Sequence, residues 1–503
     1  MRVYKPPYLL GIDSGTSACK AVLFTLNGKI VGKASVQHKI YYPRADWAEQ
    51  DPEEWWKAAS QAIRTLLKET GVKGEDIIGV SIDSQREAVV PLDREGRVLY
   101  RSIIWLDNRT VPQQQKIEKI LLRERILEIT GLPSDYIFSA SKILWIKENL
   151  PEVFNKIHVI LFPKDYIIFK LTGVKATDYS MASRTMLLDL KKGKWSEEIC
   201  EAIGIPVDIL PEIKGSWEAV GEVSGKASEE TGLKPGTPVA AGGGDRPCEA
   251  LGAGVFKEGS VCIGTGTGTA FEVPLFSPRP DKSYRFDCCY HVVPNTYEYE
   301  GVVNSTGASL QWFMELLSQE ASGDFYALLE EEASKVSPGC DGLMFYPYLW
   351  GARLPKPNPK ARGIFLGILR SHTRAHLFRA VLEGVAYQYL GVLKALKELG
   401  VEVSEVFMVG GETRIRLWNR IKANITGLKI KVPEVTDAAA LGSAILAGLA
   451  CGAYSSIEKA IEEAVRIREV YEPSLELHEK YLELYEKYEK TYQIIEKVFN
   501  TLY

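Results

Sequence analysis

A glycine- and hydroxyl-rich segment near the start of the chain has residue types suited to phosphate chemistry. Residues 11–17 read GIDSGTS and are followed by a lysine. Glycines let backbone N–H groups approach an anion, hydroxyls add donors, and a lysine adds charge, while the aspartate could hold Mg²⁺ through water. The segment predicts a phosphate site, although an ordinary Gly/Ser turn remains open. Its candidate residues are Asp13, Gly15, Thr16, Ser17 and Lys20.

A second segment of the same kind occurs in the other half of the chain. Residues 264–269 read GTGTGT and follow the apolar residues 261–263. This loop could hold the other side of the same phosphate chain, or it could be a flexible turn. Because both loops follow short apolar strands in different halves, we expect a nucleotide phosphate held between two lobes. The candidates here are Thr265, Gly266 and Thr267.

The carboxylate of Asp245 ends a run of glycines, GGGD at residues 242–245, just after an apolar strand that begins near Pro238. Phosphoryl transfer requires little covalent chemistry, but a positioned carboxylate can accept the proton of the attacking hydroxyl. Asp245 is therefore our candidate general base. The alternative is that Asp245 is the N-cap of the helix that follows, at residues 248–252.

A polar cluster with an aromatic residue indicates where an acceptor could bind. Gln85, Arg86 and Glu87 come just after an apolar strand at residues 77–82, and Trp105 follows later. Such side chains offer hydrogen bonds to neighbouring hydroxyls and a flat surface for C–H groups, which a sugar or polyol requires. The alternative is a surface ion pair beside a core tryptophan.

Alternating strands and helices must position these residues. We predict strands at residues 8–12, 21–26 and 30–36, with Asn27-Gly28 as the hairpin turn, and a helix over 55–70 that is capped by Asp51 and ends at Gly71. Apolar spacing predicts a long buried helix over residues 378–396, and residues 472–503 have the character of a helix on the surface.

Composition and charge narrow the class of protein. The chain has 503 residues, 46% of them hydrophobic and 25% charged, and a formal net charge of -4. These values are typical of a globular protein of roughly two to four domains, without a basic surface for nucleic acid or a span for a membrane. Eight scattered cysteines indicate a reducing cytoplasm. The expected partner is a small molecule, and a homodimer is left open.

Taken together, the motifs resemble the FGGY carbohydrate kinases, a family that includes xylulose, glycerol, gluconate and rhamnulose kinases. The likeness runs from Gly11 to about Tyr454. Its segments, in the order of the family, are residues 11–17, 47–52 (WAEQDP), 104–110, 242–245, 307–312 (GASLQW), 346–349, 361–367, 409–411, 417–419 and 438–448.

The resemblance implies an α/β fold of two ribonuclease-H-like, actin-like domains with a cleft between them, and ATP and Mg²⁺ as cofactors. It divides the chain into residues 1–252, with the sugar site and first phosphate loop, and 253–503, with the nucleotide site and a final surface helix. It implies that Asp245 is the catalytic base and that Asp13 and Asp245 face the metal. It also adds the nucleotide-lining positions Gly307, Gln311, Gly410 and Gly411.

The resemblance identifies the acceptor less sharply. Gln85-Arg86-Glu87 with Trp105 is similar to glycerol kinases, whereas residues 349–367 and 409–419 are more similar to the sugar kinases. Tyr136 and Arg246 complete the expected substrate-binding set, and Arg246 could bind an anionic substrate or pair with a local acid. We expect a pentulose such as xylulose, with glycerol as the alternative acceptor. A non-catalytic, actin-like ATP-binding protein is the alternative from another class.

Overall fold

The computed structural model describes residues 4–317 and 323–502 and divides into two compact units. The first comprises residues up to Phe256 together with Pro274–Tyr299 and Asp437–Arg466. The second comprises Lys257–Val273, Glu300–Thr436 and the residues from Ile467 onward. Both units are therefore built from segments that are discontinuous in the sequence.

The strands of the described chain are short and are distributed over both units. In the first half of the chain they are Tyr8–Ser14, Ala18–Thr25, Ile30–Gln37, Glu49–Gln50, Ile77–Ser84, Val90–Leu92, Ser102–Ile103, Val159–Leu161, Ala176–Asp178, Leu188–Asp189, Lys194–Trp195, Glu212–Lys214, Ala219–Glu222, Pro238–Ala240 and Gly243–Gly244. Later strands are Ser260–Thr265, Thr269–Leu275, Asp287–Tyr290, Tyr297–Val303, Met344–Tyr346, Ile364–Leu366, Glu405–Gly410, Lys429–Pro433 and Ile467–Tyr471.

Helices alternate with these strands along the chain. They are Pro52–Thr70, Val111–Leu121, Arg123–Thr130, Ser139–Asn149, Pro151–Phe154, Pro163–Thr172, Tyr179–Ser183, Glu197–Ile203, Gly225–Thr231, Asp245–Ala253, Thr306–Leu317, Gly323–Ser334, Arg374–Glu398, Arg416–Thr426, Ala438–Ala450, Ile457–Ala464 and Leu475–Leu502. None of the helices in residues 4–317 and 323–502 combines the length and apolar character that a membrane span requires.

The main sheet of the first unit mixes antiparallel and parallel neighbours. Its strand order is Ala219–Glu222, Pro238–Ala240, Ile77–Ser84, Tyr8–Ser14, Ala18–Thr25 and Ile30–Gln37, with Gly243–Gly244 also pairing with Ile77–Ser84. The first three strands along the chain form an antiparallel meander, whereas Ile77–Ser84 runs parallel to Tyr8–Ser14. Parallel strands end at the same edge, so this topology places several loops together.

One face of this sheet is covered by the alanine-rich helix Ala438–Ala450, which comes close because glycines face it. A β-carbon on Gly11 would lie 2.0 Å from the Ala440 carbonyl oxygen, and one on Gly79 would lie 2.8 Å from that of Ala447. The opposite face packs against the helix Pro52–Thr70, whose Trp55 is fully buried. Close packing on both sides fixes the positions of the central strands.

The second unit contains another mixed sheet. It includes, in order, Tyr297–Val303, Thr269–Leu275, Ser260–Thr265, Glu405–Gly410, Lys429–Pro433 and Ile467–Tyr471. Ser260–Thr265 and Glu405–Gly410 run parallel and in register, with Thr265 opposite Gly410. The loop after the first of these strands and the turn after the second therefore start at the same edge of the sheet.

The C-terminal helix Leu475–Leu502 packs on the second unit through tyrosines on one face. Tyr488 stacks on Tyr346 with ring centroids 4.2 Å apart, and its hydroxyl accepts a hydrogen bond from Gln388 at 3.0 Å. Tyr481 accepts one from Arg379 at 2.9 Å. Because these rings and hydroxyls are buried and paired, the helix is a fixed part of the unit's core.

Local sequence signals are confirmed where the structure tests them. Gly28 has φ 75° in the turn between the second and third strands, and the Asp51 side chain accepts the Glu53 N–H at 3.0 Å where the helix Pro52–Thr70 begins. That helix ends at Gly71, which has φ 69°. The long helix Arg374–Glu398 also covers the residues that apolar spacing indicated.

The crossing between the helices Asp245–Ala253 and Ala438–Ala450 provides a test of this packing. A β-carbon on Gly252 would lie 1.9 Å from the Ala438 carbonyl oxygen. Gly252→Ala should therefore force the helices apart and lower the melting temperature by several degrees, measured by differential scanning fluorimetry. Gly225→Ala is the control, because a β-carbon there meets nothing within 4 Å. Equal melting temperatures for the two variants would contradict the close crossing.

Candidate active site

Three aspartates of the first unit lie at one end of its sheet. Asp13 is opposite Asp83 in the parallel pairing of their strands, and Asp83 is in turn opposite Gly243. Asp245 follows Gly244 directly and is the first residue of the helix Asp245–Ala253. The register of the three strands therefore gathers carboxyl groups from distant parts of the sequence.

Ionising all three of these carboxyl groups at once would be electrostatically unfavourable. Burial and the charges of Asp245 and Glu249 raise the pKa of Asp13 to about 6, although Lys20 opposes the shift. Asp83 is fully buried, and burial with the charge of Asp13 raises its pKa well above the ordinary value. Two neighbouring carboxylates repel each other, which favours a proton on one of them. Because Asp83 is fully buried and its pKa is raised well above the ordinary value, it is the carboxyl of the pair for which the protonated form is more strongly favoured.

Asp245 keeps partial access to solvent, with 36% of its side chain exposed. Its Oδ1 accepts the backbone N–H of Arg246 at 2.9 Å and lies 3.3 Å from Nε of Arg86. The N-cap of the following helix is Gly244, so Asp245 lies at the first helical position and does not cap it. The positive end of the helix favours an ionised carboxylate there.

The first phosphate loop is the turn between the first two strands. The Gly15 N–H donates to the Ala18 carbonyl at 3.0 Å, which closes the turn, and Ser17 at its tip is exposed. The carbonyl oxygen of Thr16 accepts a hydrogen bond from Gln50 at 2.6 Å. The loop therefore has a defined backbone with an exposed hydroxyl side.

Lys20 lies beside this loop and is already paired. Its Nζ is 2.9 Å from Oδ1 of Asp437 and 3.9 Å from Oδ2 of Asp13. Asp437 also pairs with Lys33 at 3.0 Å. Asp437 therefore holds the cation that we assigned to the phosphate.

The side chains of Gln85 and Trp105 form hydrogen bonds with the first phosphate loop. The Thr16 hydroxyl donates to Oε1 of Gln85 at 3.3 Å and accepts the indole N–H of Trp105 at 3.0 Å. Trp105 is 42% exposed, so its ring offers a flat apolar surface to solvent. The predicted acceptor residues and the predicted phosphate loop are thus in direct contact.

Glu87 and Arg86 point in different directions from the same strand end. The Glu87 carboxylate accepts Nε of Arg184 at 2.7 Å, and Arg184 also pairs with Asp287 at 2.7 Å. Glu87 has φ 66°, and its carbonyl accepts Nζ of Lys142 at 2.9 Å. Glu87 is therefore held in a buried ion-pair network, while Arg86 reaches Asp245.

Two further predicted acceptor residues lie on neighbouring elements. Tyr136 is half-buried in the loop before the helix Ser139–Asn149, and its carbonyl accepts the Thr110 hydroxyl at 2.8 Å. Arg246 follows Asp245 and pairs with Glu249 at 3.1 Å. The local acid that sequence reasoning offered as an alternative partner for Arg246 is therefore present.

The second phosphate loop and its neighbouring turn are joined through a threonine. Thr265 donates its hydroxyl to the Val409 carbonyl at 2.7 Å and accepts the backbone N–H of Glu412 at 3.3 Å. A β-carbon on Gly410 would lie 2.0 Å from the Thr265 carbonyl oxygen, and Gly410 has φ 94°. Only glycine fits this close approach. The contact between Thr265 and Gly410 fixes the start of the second phosphate loop against the neighbouring strand.

A cavity of about 570 Å³ opens beside these loops within the second unit. Its size falls in the range of small-molecule sites. A β-carbon on Gly307 would lie 2.2 Å from the Gly266 carbonyl, so two of its walls meet closely. The lining residues are Gly266, Thr267, Gly307, Leu310, Gln311, Tyr326, Ala327, Glu330, Gly411, Glu412, Arg414, Ile415 and Trp418.

Glu412 is a buried lining residue of this cavity and forms an ion pair with Lys422. Its Oε2 accepts hydrogen bonds from the Tyr389 hydroxyl at 2.8 Å and from Lys422. Tyr389 is also bonded to Thr269 at 2.8 Å, at the end of the second loop. The network ties the loop to the turn that follows the neighbouring strand.

Sequence reasoning missed Asp83, His38, Arg184 and Lys422. Each is buried or half-buried. His38 and Arg184 bond to site residues that are distant in the sequence, and Lys422 bonds to Glu412 ten residues away. Gln50 was quoted within a motif but was given no role. The apolar run at residues 77–82 predicted the strand that ends next to Asp83, yet no local pattern shows that this side chain faces Asp13.

The carboxylates suit a hard divalent cation. Asp13 keeps 25% and Asp245 36% of the side chain exposed, and both offer oxygen donors. Over the two described ranges no group of three or more His, Cys, Asp or Glu side chains is arranged to hold a metal. Mg²⁺ usually keeps several waters and binds through one or two carboxylates and substrate phosphates, so these residues fit it.

Comparison with known proteins covers nearly the whole chain. The family models of the N-terminal and C-terminal domains of the FGGY family of carbohydrate kinases match residues 8–252 and 260–451. The chain is 32% identical over 471 residues to the xylulose kinase of Bacillus subtilis, covering 93% of each. It is 33% identical over 482 residues to the glycerol kinase of Thermococcus gammatolerans, covering 93% of this chain and 94% of the relative.

A solved structure shows the same fold. The xylulose kinase from Rhodospirillum rubrum matches with a TM-score of 0.90 and 30% identity, over 98% of this chain and 100% of that one. The predicted α/β fold with two ribonuclease-H-like, actin-like domains is confirmed.

The raised pKa of Asp13 makes stability depend on pH. The protonated carboxyl favours the folded state below its ordinary value of 3.8, and this contribution is lost as the pH rises through about 6. Asp13→Asn should therefore raise the melting temperature at pH 8 by about 2 °C or more, and the gain should shrink toward pH 4.5. The measurement is a thermal melt in metal-free buffer. Asp46→Asn, at an exposed position, is the control. An equal gain in melting temperature at pH 8 and pH 4.5 would contradict the raised pKa of Asp13.

Proposed function

The chain belongs to the FGGY family of carbohydrate kinases, and we propose that it phosphorylates a hydroxyl of a pentulose such as xylulose, with Asp245 as the general base. Membership of the family makes it an ATP-dependent kinase that acts on a small sugar. The observation that carries the finer proposal is the position of Asp245. Its carboxylate is partly exposed at the end of the sheet and lies 3.3 Å from Arg86.

The first unit would supply the acceptor site. Trp105 offers an exposed ring, Gln85 lies against Thr16, and Arg86 reaches the carboxylate of Asp245. A hydroxyl placed at Asp245 can lose its proton to the carboxylate as it attacks the γ-phosphate of ATP. The bond between the γ-phosphorus and the bridging oxygen breaks, and ADP leaves. Asp245 then returns the proton to solvent.

Each unit has residues that we assign to the nucleotide. The cavity beside Gly266, Gly307 and Gly411 in the second unit has the volume and the apolar wall for a base and ribose. Thr16, Ser17 and Lys20 in the first unit would contact the phosphates. Mg²⁺, held through Asp13 with Asp245 nearby, would neutralise charge on the phosphate oxygens. Positioning and charge neutralisation account for most of the rate in reactions of this class.

A neutral acceptor fits the charges better than a sugar acid. Arg246 is paired with Glu249, and Arg86 with Asp245, so neither arginine presents an unbalanced positive charge. The motifs of the second half, together with relatives named as xylulose kinases, support a pentulose. Glycerol is the second candidate, because Gln85-Arg86-Glu87 follows the glycerol kinase pattern and glycerol kinases are similarly close relatives.

The acceptor is identified by a coupled assay of ADP release with Mg²⁺ and ATP. The panel contains xylulose, ribulose, other ketoses, glycerol, other polyols and gluconate. We expect kcat/KM to be highest for a pentulose, at least tenfold above that for glycerol. A preference for glycerol would overturn the pentulose assignment and leave the kinase class intact.

The general base is tested by Asp245→Asn. Loss of the proton acceptor should lower kcat by roughly 10³-fold or more, while affinity for Mg²⁺ and adenylyl imidodiphosphate, measured by calorimetry, stays within about threefold. Asp189→Asn is the control, because Asp189 lies in the same unit and pairs with Lys192 at a turn. Near-normal turnover of Asp245→Asn would show that another group accepts the proton.

A further inference from the structure

Gln50 is a buried hydrogen-bonding centre in the first unit. It lies on the short strand Glu49–Gln50 and is 0% exposed. Its Nε2 donates to the Thr16 carbonyl at 2.6 Å and lies 3.2 Å from Nδ1 of His38. Its Oε1 accepts from Nε2 of Gln85 at 2.6 Å and from the indole N–H of Trp55 at 3.2 Å. All four hydrogen-bonding positions of the amide are therefore used.

The direction of these bonds determines the state of His38. Because Nε2 of Gln50 is a donor, Nδ1 of His38 must accept, so the ring proton lies on Nε2 of the histidine. That nitrogen is 3.1 Å from the Gly15 carbonyl oxygen and donates to it. Burial also lowers the pKa of His38, which favours the neutral ring.

Gln50 and His38 thus hold two consecutive carbonyls of the first phosphate loop, those of Gly15 and Thr16. A loop that binds an anion must turn its N–H groups toward the ligand and its carbonyls away from it. Buried donors on the protein side keep both carbonyls in that direction. The Thr16 side chain remains available on the other side, where it meets Gln85 and Trp105.

We propose that Gln50, together with His38, is a positioning residue that holds both the first phosphate loop and the acceptor-binding side chain of Gln85. One amide supports both sides: its nitrogen holds the loop, and its oxygen holds Gln85. Because different atoms of the amide make these two contacts, a substitution can remove one contact and keep the other. The inference rests on the proposed function, since it assigns the loop to the nucleotide and Gln85 to the acceptor.

Two substitutions separate the two sides of Gln50. Gln50→Met keeps the length and removes every hydrogen bond, so KM for ATP and KM for the acceptor should both rise about tenfold or more. Gln50→Glu keeps an oxygen for Gln85 and Trp55 but removes the donor to Thr16. Its KM for ATP should rise about tenfold, while its KM for the acceptor stays within about threefold.

Steady-state kinetics are measured with the acceptor found in the panel, at a temperature below every variant's melting point. Gln113→Met is the matched control, because Gln113 is a buried glutamine of the same unit that donates to Glu148 at 2.9 Å. It should leave both KM values within about twofold. A purely structural role of Gln50 would lower the melting temperature without separating the two KM values, and that result would overturn the proposal.

Calorimetry with Mg²⁺ and adenylyl imidodiphosphate distinguishes this inference from the proposed function. A wild-type chain that binds the analogue but phosphorylates nothing in the panel would contradict the proposed acceptor. The loop assignment would still be judged by Gln50→Glu, whose affinity should be about tenfold weaker. Unchanged affinity in Gln50→Glu would overturn the positioning role, whatever the acceptor. A wild-type chain that does not bind the analogue would overturn both the proposed function and the positioning role of Gln50.

Discussion

The alignment of strand ends in the first unit is the constraint on which the site depends. Parallel pairing sets Asp13 opposite Asp83 and Asp83 opposite Gly243, so the carboxyl groups gather at one edge of the sheet. Their mutual repulsion would be severe if all were ionised, and the raised pKa of buried Asp83 favours a protonated form that relieves it. Asp13 and Asp245 can then carry the charges that face solvent. The Ser443 hydroxyl donates a hydrogen bond to Oδ2 of Asp83 at 2.6 Å and fixes the orientation of that carboxyl.

Close approach of backbones keeps that edge rigid. Gly11 and Gly79 let the helix Ala438–Ala450 lie directly on the strands of Asp13 and Asp83, and Gly442 lets it cross the helix of Asp245. The same helix begins next to Asp437, which holds Lys20. The helix Ala438–Ala450 thus fixes the positions of the strands that carry Asp13 and Asp83, and the residue before it fixes Lys20. In the second unit, Gly410 plays the corresponding part against Thr265.

Much of the fold and part of the site follow from local sequence. The turn at Gly28, the cap at Asp51 and the strands before both loops are determined by neighbouring residues, so short patterns suffice. The pairing of Gln50 with Thr16, or of Arg184 with Glu87, joins residues far apart in the chain, and no periodicity encodes it. Asp83 directly follows the predicted strand at residues 77–82. Its role depends on the pairing register with Asp13, which the local sequence does not encode.

Several cations near the end of the first unit's sheet are already paired with acidic residues. Lys20 is paired with Asp437, Arg86 with Asp245 and Arg246 with Glu249, and Asp13 adds a further carboxylate. A bare triphosphate would therefore meet carboxylates at the end of the sheet without an excess of cations to oppose them. A divalent cation on the phosphates reverses that balance, since it turns the same carboxylates into attractive partners. On the proposed function, this arrangement of charges favours binding of the nucleotide as its metal complex, and acidic residues are then compatible with an anionic substrate.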